Sequence, residues 1–353
     1  MIAGSATQTF EFFLQWHLTE RCNLRCRHCY QGEKIPYEMT PEEVKREIDG
    51  ATEMFQAWEL EHDVTVVPSI HFTGGEPLLY KGLWDVVAYA RKQGYAVAIM
   101  TNGCLVSAED AKKASLHGIS DIQVSLEGPE ALHDSIRGKG SFAAMAKGVE
   151  KLAKAGNRVY GNVTLSRLNA DLIDEIVAVA RQIGCHGIGF SRVVPCGRGK
   201  ALLDSLLSPD ELRHAYQKIA TLNEPDFGVN IGDPLAGEPM ASSASPENDL
   251  TFSGCSAGYS GLTITSDGSV MPCRRIGLIV GNLKNDSLRS LWASSDLLWQ
   301  LRTRESYHGK CGRCRFWASC RGCRAVAYAY SVAHGKPDLF ADDPQCWIEQ
   351  DNS

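Results

Sequence analysis

Between residues 14 and 225 the chain repeats one pattern six times: a short apolar run of strand length, then an amphipathic stretch at helical spacing. The expected strands cover residues 14–18, 66–72, 96–100, 121–126, 158–164 and 187–193. The stretches between them carry helix punctuation. Thr40-Pro41-Glu42-Glu43 reads as a capping box with proline at the first helical position, followed by Val44, Ile48, Ala51, Phe55 and Trp58. Asn169 is the expected cap of a helix stopped by Gly184, and Ser208-Pro209-Asp210-Glu211 repeats the capping signature. Strands alternating with helices require right-handed crossovers and a mainly parallel sheet, an α/β fold. Periodicity alone leaves open whether that sheet is doubly wound or curled into a barrel. In both cases ligands gather at the carboxyl ends of the strands.

The chain has 353 residues, enough for one large domain and a smaller one. Its 36 lysines and arginines are spread along the sequence and the net charge is −6, so there is no basic footprint for nucleic acid. The N-terminus lacks a positive segment followed by an apolar core and a small-residue cleavage site, and no run of about 18 apolar residues occurs. A cytoplasmic protein without membrane attachment is expected. Residues 232–254 are rich in Gly, Pro, Ala and Ser and read as a linker. They divide the chain into a 1–231 core and a 255–353 cysteine-rich module, which has little strand signal and one expected helix over 286–304.

Thirteen cysteines without a secretion signal favour metal ligation over disulfides. Cys22, Cys26 and Cys29 form a C-x3-C-x2-C group directly after the first strand. Three thiolates bind three irons of a [4Fe–4S] cube and leave one iron open, an arrangement that makes sense if a small molecule completes it. The alternative is a zinc site that borrows His28 or His17. A second group comprises Cys311, Cys314, Cys320 and Cys323, flanked by Cys255, Cys273 and Cys346.

The segment CNLRCRHC resembles the signature loop of the radical S-adenosylmethionine superfamily. The resemblance implies a partial (β/α)6 barrel, a [4Fe–4S] cluster on Cys22, Cys26 and Cys29, and S-adenosylmethionine chelated at the open iron. Reductive cleavage then yields a 5′-deoxyadenosyl radical. His28 takes the position whose side chain packs near the adenine. Thr73-Gly74-Gly75-Glu76-Pro77 matches the family's GGE motif, which binds the methionyl amine; two glycines permit close backbone approach, and the Glu76 carboxyl can pair with an ammonium. Asn102 and Ser125 fall where the family places polar cofactor contacts. HDSIRG, with His133, Asp134 and Arg137, resembles a segment of peptide-modifying members. Arg137 is either a carboxylate clamp or a solvated cation, and His133 and Asp134 either ligand contacts or a helix-start cap. Asn162 and Thr164 are expected to line the pocket.

The later cysteines resemble the SPASM extension with its two auxiliary iron–sulfur clusters. That resemblance assigns Cys311, Cys314, Cys320 and Cys346 to the outer cluster. Cys255, Cys273 and Cys323 fall to the inner one, which then lacks a fourth cysteine. Cys320 and Cys323 are spaced x2 where the family has x3. A zinc module is the alternative for the C-x2-C pairs. Cys104 and Cys185 read as buried small side chains. Cys196, in VVPCGRGK, falls on the active face as a candidate hydrogen donor, and Arg198 and Lys200 beside it either meet an anionic substrate or are solvated.

SPASM enzymes as a group mostly modify ribosomally made peptides or proteins, so the expected reaction is hydrogen abstraction from such a substrate. The expected electron donor is a flavodoxin or ferredoxin. Only 21 residues precede Cys22, which points to a separate leader-binding partner. One alternative is a tetrapyrrole side-chain enzyme of the haem-biosynthesis type, to which PCGRGK bears some likeness. Another is a non-catalytic electron carrier, which needs no sulfonium site.

Overall fold

A computed structural model describes residues 8–31, 37–237 and 254–349. Seven parallel strands follow one another in space: β1 (Gln8–Thr19), β2 (Val64–Gly74), β3 (Ala96–Thr101), β4 (Asp121–Ser125), β5 (Val159–Leu165), β6 (Gly187–Arg192) and β7 (Gly228–Ile231). Three short strands, β8 (Gly261–Ile264), β9 (Ser269–Met271) and β10 (Gly281–Asn282), extend the same sheet on the far side of β1. β8 runs parallel to β1, and β9 and β10 return antiparallel. The sheet ends at β10 and β7, which are not paired with each other, so it is a partial barrel.

Helices α1 (Pro41–His62), α2 (Leu83–Lys92), α3 (Ala108–Leu116), α4 (Glu130–Arg137), α5 (Ser141–Lys154), α6 (Ile173–Gln182) and α7 (Pro209–Ala220) fill the crossovers. The C-terminal part adds α8 (Leu288–Ser294), α9 (Asp296–Arg302), α10 (Gly309–Arg313) and α11 (Arg324–Ala333). None of the helices among the described residues is long and apolar enough to cross a membrane.

Alternation along the strands decides what faces the helices. In β1, Phe12, Leu14, Trp16 and Leu18 are buried in one cluster with Val44, Ile48, Met54 and Phe55 of α1. The intervening Gln15 pairs in register with His71 of β2 and Thr263 of β8, giving the concave face a polar row. Both expected capping boxes are present, Thr40 with Glu43 at α1 and Ser208 with Glu211 at α7.

Four expectations change. β1 begins at Gln8, because residues 8–13 pair in register with Val64–Ser69 of β2, a partner remote in sequence. The C-terminal module does contribute strands, each of two to four residues and therefore too short to show a period. The single helix over 286–304 is two, α8 and α9, because Ser295 is extended and its hydroxyl accepts from Leu298 N–H, capping the second. Asn169 caps no helix. Its amide donates to the Glu127 and Thr164 carbonyls, a 3-10 turn follows, and α6 starts only at Ile173.

Of the expected linker, residues 238–253 lie outside the described residues. Asp233 in its described part has a buried side chain, its carboxylate 2.6 Å from Arg192 Nε. Arg192 also forks Asp343 at 2.9 and 2.8 Å, and Asp343 accepts from Cys323 N–H at 2.8 Å. The end of β6 is thereby tied to the C-terminal cysteine region.

Candidate active site

All six expected strands end on the same side, and the residues singled out in the sequence follow directly after them. Thr19 ends β1 and opens the loop of Cys22, Cys26 and Cys29. Gly74 and Gly75 hold that loop down. Gly75 N–H donates to Thr19 O at 2.7 Å and Glu76 N–H to Arg21 O at 2.8 Å. A Cβ on Gly75 would stand 2.1 Å from Arg21 O, and one on Gly74, at φ 147°, 2.3 Å from Thr19 O. The close approach that two glycines permit is thus made to the cysteine loop itself.

Glu76 is wholly buried. One carboxyl oxygen accepts from Thr101 Oγ1 (2.7 Å) and Leu78 N–H (3.2 Å), the other from Asn102 N–H (2.8 Å). Burial pushes this carboxyl above its ordinary value against the pull of those bonds. Through these bonds Glu76 locks β2 to the end of β3. Asn102, so placed, donates to Asn23 Oδ1 at 2.8 Å and lies 3.9 Å from Cys22 Sγ. Thr73 and Ser125 sit at the ends of β2 and β4, Ser125 in register with Asn162.

Behind Cys26 is a group that the sequence reading missed. Glu127, buried just past β4, receives Arg137 Nε at 2.9 Å and Nη2 at 2.6 Å on one oxygen, and Thr164 N–H at 3.1 Å on the other. Arg137 Nη1 stands 3.8 Å from Cys26 Sγ, and its Nη2 is 3.4 Å from His28 Nε2. Burial raises the Glu127 carboxyl, but Arg137 and His28 outweigh it and hold the group below its ordinary value. Burial likewise holds His28 down to about 4, so its ring is neutral near pH 7. Arg137 is therefore neither a solvated cation nor a free clamp. His133 Nδ1 accepts from Glu127 N–H, and Asp134 accepts from Gly140 and Phe142 N–H at the start of α5, so HDSIRG locks this corner. A glutamate two residues past a strand in LEGP was the only available signal for Glu127.

PCGRGK clamps the loop from the other side. Arg198 N–H donates to Cys29 O at 2.8 Å and Arg198 Nε to Cys26 O at 3.0 Å. A Cβ on Gly197 would stand 2.6 Å from the Tyr30 carbonyl. Arg198 thus gives its backbone N–H and its Nε to carbonyls of the cysteine loop. Cys196, half-buried, shares its surroundings with Arg275, Cys273, Arg274 and Cys29, and burial pushes its thiol up to about 11. Cys104 is half-buried with its thiol on the Asn102 and Ser141 carbonyls, and Cys185 is buried.

In the C-terminal part, Cys311, Cys314, Cys320 and Cys346 line one cavity of about 500 Å³. Arg321 and Gly322, with φ of 63° and 60°, make the tight left-handed turn that brings Cys323 back after only two residues. Cys255 N–H donates to Cys320 O at 3.0 Å, and Arg275 adjoins both Cys273 and Cys323. Arg324, also unforeseen, is fully buried with Nη2 3.7 Å from Cys311 Sγ and Nη1 on the Leu339 and Ala341 carbonyls.

The residues suit the groups that the sequence suggested. Leu24 and Gln31 N–H each point at a cysteine sulfur, 3.4 Å from Cys22 and Cys29, a donor pattern that suits thiolates on iron. His28 Nδ1 is buried without a partner beside the cysteine loop, a polar atom ready for a bound nucleoside.

The radical SAM superfamily profile matches residues 16–180, and that of the SPASM iron–sulfur cluster-binding domain matches residues 255–315. The chain is 30% identical to the AdoMet-dependent heme synthase of Nitratidesulfovibrio vulgaris, over 94% of this chain and 91% of that protein. It is 30% identical to mycofactocin maturase MftC of Mycolicibacterium smegmatis, over 94% of this chain and 82% of that protein. It superposes on Streptococcus suis SuiB bound to S-adenosylmethionine with a TM-score of 0.76 at 18% identity, over 96% of this chain and 78% of the other, a likeness of fold. The chain belongs to the radical SAM superfamily and carries a SPASM iron–sulfur region behind its partial barrel.

Proposed function

We propose that this radical SAM enzyme abstracts hydrogen from a side chain of an iron tetrapyrrole, as in haem biosynthesis. The observation that carries the reading is the end-to-end match to an AdoMet-dependent heme synthase, over 94% of this chain and 91% of that protein. A match to an Fe-coproporphyrin III synthase of Methanosarcina barkeri, 29% identical over 95% and 88% of the two chains, supports the same substrate class. This replaces a peptide as the preferred substrate.

The chemistry of the site agrees. A tetrapyrrole brings a flat apolar ring and several carboxylates. On the concave face the Phe13 and His71 rings stack at 5.5 Å, offering flat surfaces beside Gln15 and Thr263. Arg274 and Arg275 stand near Cys29, Cys196 and Cys273. Arg274 gives Nη2 to Glu20 at 2.9 Å while its Nε is buried with no partner, a donor suited to a substrate carboxylate. When bound, the cluster and S-adenosylmethionine supply the radical. Cys22, Cys26 and Cys29 would hold the cluster, Asn102 and His28 would flank the cofactor, and the barrel would position the reacting carbon and exclude water.

Peptide modification is the second reading, favoured by the match to mycofactocin maturase MftC. The reconstituted protein, incubated anaerobically with S-adenosylmethionine, dithionite and iron coproporphyrin III, separates the two. Substrate-dependent 5′-deoxyadenosine with mass loss from the macrocycle is expected. Deoxyadenosine that does not respond to the tetrapyrrole, but rises with a peptide, would favour the second reading.

A further inference from the structure

A groove of about 490 Å³ opens at the end of the sheet opposite the cysteine loop. Gln8 and Val64, the first residues of β1 and β2, line it, whereas Cys22 and Gly75 follow the last residues of those strands. The 12 residues of β1 put roughly 35 Å between the two ends. The groove lies on a seam: Phe10, Trp58 and Val64 come from the barrel, and Tyr259, Trp292 and Arg302 from the C-terminal part. Ligand pockets favour such seams. Aromatic rings make its wall, Trp58 packing against Phe10 at 6.1 Å and against Trp292 at 5.5 Å.

Two polar atoms of this apolar wall are left without partners. Arg302 gives Nε to Gly258 O at 2.7 Å and Nη1 to Trp292 O at 3.2 Å, but its Nη2 is buried with no partner. The Tyr259 hydroxyl is buried with no partner too. Both residues line the groove and lie close enough to act on each other electrostatically. Arg302 is held over the Trp292 ring, its Cζ 3.9 Å from the centroid. It is the one arginine or lysine lining the groove among the described residues, and none of their carboxylates pairs with it. Buried donors left unmade are costly, and a carboxylate is the acceptor that satisfies a guanidinium and a hydroxyl together.

We propose that this groove binds a small monocarboxylic acid with a flat apolar body. Its carboxylate is taken by Arg302 and Tyr259, and its body lies against Phe10, Trp58 and Trp292. One guanidinium and one hydroxyl match a single carboxylate, which sets this ligand apart from a tetrapyrrole with several. Because both parts of the chain contribute, the bound acid ties them together and stabilises the folded state by mass action. The inference is independent of the substrate that reacts at the cysteine loop.

The test titrates 2-naphthoate into the reconstituted holoenzyme by calorimetry, with 2-naphthalenemethanol as a neutral analogue of the same shape. The acid binds saturably, one molecule per chain, and the melting temperature rises with its concentration. The neutral analogue binds about tenfold more weakly or worse, as the loss of a charge-assisted bond requires. Tyr259→Phe removes an unpaired hydroxyl, so the melting temperature of the free protein holds or rises while affinity for the acid falls about tenfold. Arg302→Gln weakens the acid at least as much. Should Arg302→Gln fail to fold, Tyr259→Phe decides alone. The absence of saturable binding, equal binding of the acid and the alcohol, or unmoved affinity in Tyr259→Phe would overturn the proposal. A chain that sediments as a dimer and binds the acid only on dissociation would assign the groove to a second copy, and overturn it as well.

Discussion

The two cysteine regions solve different problems. The N-terminal loop offers three thiols pinned from several sides, by Gly74-Gly75, by Asn102, by the Glu127–Arg137 pair and by Arg198, with unpartnered polar atoms beside it. The C-terminal region arranges four cysteines around one cavity, closed by a left-handed turn. Three thiolates on a rigid loop would leave one iron of a cube open to a reactant. Four around a cavity would fill the coordination, which suits storage or transfer of an electron. Openness at the first region and closure at the second is the division of labour to be tested.

The largest expected effect is on metal content. Cys314→Ala removes roughly one cluster, about four irons, yet the protein still forms 5′-deoxyadenosine from S-adenosylmethionine and dithionite. Loss of that activity together with the iron would mean that the two regions are not separable.

Next comes the joint between them. Asp343→Ala leaves Arg192 buried with Asp233 as its one carboxylate partner and orphans Cys323 N–H. We expect a loss of about 3–5 kcal/mol in chemical denaturation. A loss below about 1 kcal/mol would show that the ion pair does not hold the regions together.

Acid should act on the first region before the second. Burial, aided by Arg274, holds His17 down to about 3; burial and then Arg137 hold His133 down to about 4. The unfolded chain takes up these protons near pH 6.5 and the folded one does not, so stability is complete above pH 6.5 and falls as pH drops through 6 and 5. Each imidazole costs about 2 kcal/mol by pH 5. His133→Gln should flatten the fall in melting temperature between pH 7 and 5, and an unchanged slope would contradict the assignment.

The smallest effect is local to the second region. Ser295→Ala removes the cap of α9 and should cost about 1 kcal/mol, with α8 unaffected. No measurable cost would mean that the break between the two helices has another cause.

What was legible in the sequence follows from the range of the interactions. The six parallel strands and both capping boxes depend on neighbours within a few residues. The cysteine triplet and GGE each occupy one short segment. Glu127 escaped because its partners, Arg137, His28 and Thr164, come from three other elements and nothing near it in sequence marks it as paired. Arg192 and Asp343 lie 151 positions apart, and the strands β8 to β10 have meaning only against β1. The bonds of Arg198 to the cysteine loop are equally remote in sequence, its Nε meeting the Cys26 carbonyl 172 positions away. Substrate choice was the least legible feature, because it depends on the concave face as a whole.

The central claim is that the loop of Cys22, Cys26 and Cys29 is where S-adenosylmethionine is cleaved, and that the C-terminal cysteines do not cleave it. The direct measurement is 5′-deoxyadenosine formed under dithionite by the wild type and by the Cys22→Ala, Cys26→Ala, Cys29→Ala triple variant, with iron counted in both. Deoxyadenosine is expected from the wild type and none from the variant, with C-terminal iron retained in the variant. Deoxyadenosine from a variant that keeps only its C-terminal iron would contradict it.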